Sequence, residues 1–172
     1  MQKYTWPAVA LHWLMALLVI GMLGLGLYMA PLPKGPERSG LIALHKSIGI
    51  TLAGLYFVRL AWRARHPPPP YPASIPAWQQ RVAYANAIAL YVLLIVQPLS
   101  GYLSSSFSGY KTSWFELPLP YWGWESQSLN AAFHLVHVVG SRLLMILVTL
   151  HLAGAALHAF VRRDGVVRRM LF

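Results

Sequence analysis

Seven histidines carry most of the chemical capacity of this sequence: His12, His45, His66, His134, His137, His151 and His158. Imidazole shuttles protons near neutral pH and is a common ligand for metals, iron among them. Beside them stand only four acids and no cysteine. The lack of cysteine excludes disulfides, thiolate metal sites and the C-x-x-C-H attachment of haem, so any haem must be held non-covalently. Spacing narrows the choice further. His137 and His151 bracket the apolar run HVVGSRLLMILVTLH. In a helix, fourteen residues turn through ~1400°, within ~40° of a whole number of turns, and rise ~21 Å. One helix thus presents two imidazoles on one face at two depths.

The elements that must position these residues are written in the composition. Of the 172 residues, 57% are hydrophobic and only 10% charged, where an ordinary soluble domain carries about 25% charged residues. Four apolar stretches, at about 6–29, 40–62, 82–103 and 129–161, each reach the ~20 residues that cross a ~30 Å hydrocarbon core. The expected fold is all-α, an integral membrane four-helix bundle, with residues 1–172 as a single transmembrane domain. The first stretch exceeds the ~7–15-residue apolar core of a signal peptide and contains His12, so it reads as a retained span. No internal repeat is evident. The turn APLPKGPERSG cannot continue a helix, HPPPPYPASIP is a stiff extended connection, and Pro98 predicts a kink in the third span.

Four spans place both termini and the second connection on one side. That side carries Lys3, Arg59, Arg63, Arg65, Arg81, Arg162, Arg163, Arg168 and Arg169 against Asp164. The other carries Lys34, Arg38, Lys46 and Lys111 against Glu37, Glu116 and Glu125. The basic excess marks the first side as cytoplasmic. The net charge of +10 is therefore topological, and nucleic acid is not an expected partner; membrane lipid is. In the outer connection, 104–128, Trp114, Phe115, Tyr121, Trp122 and Trp124 form either an interfacial aromatic belt or a docking surface for a periplasmic protein.

Depth then pairs the histidines. His12 lies early in the first span, near the inner side; His45 lies early in the second, which enters from outside. The fourth span also enters from outside, so His137 is at the outer level and His151 at the inner one. The level-matched pairs are His12 with His151 and His45 with His137. Two bis-histidine sites stacked across a four-helix bundle are what two haems b require. Gly49 and Gly154 would leave room for a flat macrocycle beside the ligands, although small residues also serve helix packing in membranes. His134 rivals His137 as outer ligand, but its angle to His151 is ~100° off. Zinc, iron-carboxylate and proton-relay sites need clustered ligands or intramembrane acids, and the spans offer only His134 and His137 at i,i+3.

Arg142, five residues inward of His137, is too deep to snorkel easily, and a haem propionate is an anion its fork would suit. On this reading Arg142→Leu lowers haem content or shifts one midpoint potential. Lys46 at the outer level, and Arg59 and Arg63 toward the inner, are further propionate candidates; positive-inside anchoring explains the last two equally well.

With these residues in place, the sequence resembles the bacterial cytochrome b561 family over essentially its whole length. The resemblance rests on ALHWLMALLV around His12, HKSIGITLAGLYFVRLAWRARHPPPP from His45, His137, and HLAGAALH from His151. It implies a haem-binding helical bundle of the bacterial inner membrane that exchanges electrons with quinone, His12, His45, His137 and His151 standing at the family's ligand positions. The best-characterised type resembles a superoxide oxidase, which takes an electron from periplasmic superoxide and reduces ubiquinone. A cationic outer surface would steer superoxide in, but the outer connections balance their charges, leaving Lys46 and Arg142 as a local attraction. His158, seven residues and nearly two turns beyond His151, either bonds a quinone carbonyl beside the inner haem, as the resemblance also suggests, or is a hydrated interfacial residue. His66 is expected to be exposed.

The reading is therefore a transmembrane electron carrier, in which an electron enters at His45/His137, moves to His12/His151 and leaves to quinone. A haem-bearing anchor subunit, linking a periplasmic dehydrogenase or hydrogenase to quinone, and a non-haem transport or structural protein are the alternatives.

Overall fold

The computed structural model describes residues 2–171. It contains helices α1 (Trp6–Met29), α2 (Pro36–Arg65), α3 (Ala77–Phe107) and α4 (Gln127–Ala156), the last continuing into a π-helical turn, Leu157–Arg162; a separate 3-10 turn, Val167–Met170, follows. Each of the four is long and apolar enough to cross a membrane. In hydrocarbon every backbone N–H and C=O must pair within the chain, and a helix does this without a partner. Prolines in the first turn open α1 and α2, where the missing N–H costs nothing. The Ser126 hydroxyl caps α4 by accepting from Leu129 N–H at 3.4 Å.

The helices overrun the apolar stretches by a few residues at most ends. Glu37 and Arg38 on α2, Gln79 to Arg81 on α3, and Gln127 on α4 all sit in helix. Polar residues beyond the hydrocarbon still gain from intrahelical pairing, and hydropathy does not register that gain. Helix α3 also runs on through Pro98 as a continuous element.

Helices α1 and α2, and α3 and α4, pair along their lengths, with α2 meeting α3 between them. Buried Met15 and Val19 of α1, Leu52 of α2 and Leu144 of α4 form one apolar cluster. Leu144 is seven residues from both His137 and His151, so this cluster lies between the two histidine levels.

Both ends of the bundle are tied. At the end carrying the termini, Tyr4 N–H donates to Arg169 O at 3.2 Å and Trp13 Nε1 to Met170 O at 2.8 Å. At the other end Asn130 Nδ2 donates to Ser104 O at 2.7 Å, joining α3 to α4. The connection between them is less irregular than its sequence suggests. Strands β1 (Ser113–Trp114) and β2 (Leu117–Pro118) pair antiparallel, Ser113 opposite Pro118. This hairpin folds back along α2: Phe115 N–H donates to Ser47 Oγ at 2.7 Å, and Trp114 Nε1 to Thr51 Oγ1 at 3.0 Å. Trp122 and Trp124 remain exposed, as residues of a membrane-water belt do.

Candidate functional site

The antiparallel run of the helices brings four of the seven histidines together in pairs. The rings of His12 (α1) and His151 (α4) have centroids 6.0 Å apart, with planes inclined at 64°. Those of His45 (α2) and His137 (α4) lie 6.1 Å apart, inclined at 77°. Two imidazoles bound to one metal through bonds of about 2.0 Å would have ring centroids about 6 Å apart. Both pairs have that separation.

The donor set decides what kind of centre would fit. Among the described residues no group of three or more His, Cys, Asp or Glu could hold a metal ion. A closed zinc site wants four protein ligands. Two imidazoles alone suit an iron whose other ligands come from a porphyrin. The surroundings agree. His137 Nδ1 lies 3.0 Å from Gln97 O, and a carbonyl can only accept, so Nδ1 carries the proton and Nε2 is left to ligate. Ser100 Oγ is 3.4 Å from the same nitrogen. His45 Nδ1 is buried with no hydrogen-bond partner among the described residues, an arrangement a polar atom tolerates poorly without a ligand.

Three positions absent from the sequence reading build this level. A Cβ on Gly101 would stand 3.1 Å from the His137 ring, so a side chain there would push the imidazole aside. Gly26 similarly faces His45, 3.8 Å from its Cε1. Gln97 supplies the carbonyl. A signal for Gly26 existed: it follows His12 by fourteen residues, the spacing of His137 and His151. Nothing local marked Gln97 or Gly101. Of the two glycines expected to leave room for a macrocycle, Gly49 looks toward the Met22 methyl at 3.6 Å, and Gly154 has nothing within 4 Å.

The cationic candidates separate. Arg59 donates from Nε to Tyr91 Oη at 3.0 Å and from Nη1 to Ala8 O at 3.2 Å, and its charge acts on both His12 and His151. Arg63 lies over the Tyr91 ring, 5.5 Å from its centroid. Lys46 donates to Ser105 Oγ at 2.5 Å, and Thr112 Oγ1 donates to the same oxygen at 3.1 Å. The structure does not bring Arg142 to either pair. It is exposed on α4, and five residues of helix turn it ~140° from His137.

The remaining histidines also separate. His134 is exposed and His137, not His134, faces His45. His66 is exposed and stacks on Trp62 at 4.1 Å. His158, in the π-helical turn, has Nδ1 2.5 Å from Asp164 Oδ2, while Asp164 Oδ1 accepts from Val166 N–H at 3.1 Å. Burial pushes the Asp164 carboxyl up, but the hydrogen bonds from His158 and Val166 and the nearby charges outweigh it and hold the group below the ordinary carboxylate range.

Four membrane-crossing helices with two stacked imidazole pairs define, as a class, a membrane cytochrome b. A profile of the family Prokaryotic cytochrome b561 matches residues 3–172. The chain is 35% identical to Cytochrome b561 homolog 2 of Escherichia coli (strain K12), covering 99% of this chain and 92% of that protein. It is 24% identical to Cytochrome b561 homolog 1 of the same organism, over 99% and 98%, and 24% identical to the probable superoxide oxidase CybB of Yersinia pestis, over 99% and 96%. The chain belongs to the prokaryotic cytochrome b561 family. It is a multi-pass bacterial membrane cytochrome that binds haem b and takes part in electron transport.

Proposed function

We propose that the protein carries single electrons between the two ends of its bundle, from superoxide at the hairpin end to ubiquinone at the terminal end. The observation that carries this reading is the pair of imidazole couples at two levels, each with the separation a shared iron requires. His12 and His151 hold one haem b, and His45 and His137 the other. Bound there, each haem supplies a one-electron carrier. The protein's contribution is to fix and surround them. Gln97 sets the His137 tautomer, while the Met15, Val19, Leu52 and Leu144 cluster keeps water from the space between the levels. Arg59 neutralises a propionate at one level, and Lys46 one at the other.

The basic excess at the terminal end supports a cytoplasmic orientation for that end and residence in the inner membrane. The name of the Yersinia pestis relative supports superoxide as donor. His158 serves the quinone. Asp164 accepts from its Nδ1, so Nε2 accepts from a quinol hydroxyl when the ring is neutral and donates to a quinone carbonyl when it is protonated.

The first test is a pyridine haemochrome spectrum with haem counted against protein. Two haems b per chain are expected, and none in folded protein would remove the assignment. Superoxide should then be consumed only when quinone is present. A second reading, a haem-bearing anchor for a periplasmic dehydrogenase or hydrogenase, draws on the exposed Tyr110, Trp122 and Trp124 of the outer loop. Co-purification of such an enzyme, with no superoxide consumption by the isolated protein, would favour it.

A further inference from the structure

The terminal end holds a cavity that electron transfer leaves unused. It is a half-open cavity of about 280 Å3 between the segment Gln2 to Thr5 and the proline run from His66 to Pro69. A smaller hollow of about 20 Å3 shares Tyr4, Ala8 and His66 with it and reaches Arg59, Arg63 and Tyr91.

The cavity is built rather than incidental. Arg169, only 4% exposed, donates from Nε to Gln2 O at 3.1 Å and from Nη2 to Pro69 O at 2.7 Å, so one guanidinium holds both rims. Trp62 donates to Thr5 Oγ1 at 2.9 Å while stacking on His66, which fixes the adjoining wall. These bonds set the distance between rims before any ligand arrives.

Its charge is of one sign. Lys3 lines the cavity, Arg59 and Arg63 line the hollow, and no acid lines either. The acid of this end, Asp164, is committed to His158 and Val166. Among the described residues neither Lys3 nor Arg63 meets a carboxylate. The site lies where α1 begins and α2 ends, at the depth of lipid headgroups, and basic pockets at that depth attract their phosphates.

We propose that this cavity binds a phosphate group, carried by an anionic phospholipid headgroup or free in solution. Lys3 in the cavity and Arg63 in the adjoining hollow supply the charge, and Arg169 keeps the rims at the distance the ligand needs.

The test counts bound phosphatidylglycerol on the purified full-length protein by native mass spectrometry, with phosphatidylcholine as control. A parallel titration uses inorganic phosphate and follows thermal unfolding. The pocket double variant Lys3→Gln/Arg63→Gln is compared with Arg81→Gln/Arg162→Gln, which removes equal charge from the same end outside the cavity. Loss of about tenfold or more in phosphatidylglycerol affinity in the pocket variant alone is expected, since each basic residue contributes a severalfold factor. Stabilisation by inorganic phosphate, lost in the same variant, would assign the free ion as the source. Equal losses in both variants would reduce the effect to general surface charge and overturn the proposal. So would displacement of the lipid by a short-chain quinone, or no binding of either phosphate source. Lipid counting does not depend on haem, so failure here leaves the electron-transfer reading standing, and the reverse.

Discussion

At the scale of single residues, the imidazole pairs make the most direct claims. Replacing His137 by Ala removes one member of one pair and leaves His12 and His151 facing each other. The variant should therefore keep one haem and lose the other, read as haem per protein and as the loss of one of two reductive steps. Arg142 leads in another direction from the one its sequence position suggests. Because it is turned away from both pairs and exposed, Arg142→Leu should leave haem content unchanged. Removing a mid-span arginine saves about 2.5–3.5 kcal/mol of insertion cost, so membrane-inserted yield should rise. A fall in haem content would show instead that a propionate reaches the guanidinium. Spacing made the histidines legible in the sequence because fourteen residues return to the same helical face. The same spacing to Gly26 was equally available, yet a glycine carries no chemistry to draw attention to it.

At the scale of the elements, the approach of α3 to α4 is what seats the His137 imidazole. Gly101 lets α3 pass close enough for Gln97 O to receive the His137 proton. Gly101→Leu should push the ring off its position at a cost of about 1–3 kcal/mol, with loss of the His45/His137 haem and retention of the other. Difference spectra on the purified variant would read this; retention of both haems would mean the helices part without consequence. These contacts were not legible beforehand, since one sequence gives the face of a helix but not which neighbour closes on it. The four spans were legible, because hydrocarbon allows helix and little else for a lone segment. The β1–β2 hairpin was not: its pairing, Ser113 with Pro118, is only two residues long and depends on docking to Ser47 and Thr51 of another element.

At the scale of the whole molecule, the terminal end is joined by residues far apart in the chain, and its acid titrates. Asp164 has its pKa lowered in the folded protein. Its contribution to stability is therefore fully present above the ordinary carboxylate value and is lost as pH falls through the lowered one. Asp164→Asn should unfold a few degrees below the parent near neutral pH, and the gap should close in strong acid; a gap independent of pH would assign the effect to packing. A different consequence follows from the way the helices pair. Helices α1 and α2 form one hairpin and carry His12 and His45; α3 and α4 form the other and carry His137 and His151. Neither hairpin owns a complete pair. During biogenesis each half can enter the bilayer by itself, but no ligand set closes until the second half has been delivered and has met the first. On the proposed haem assignment, cofactor capture is thus a late checkpoint on assembly, and a chain stalled after α2 presents only half of each pair.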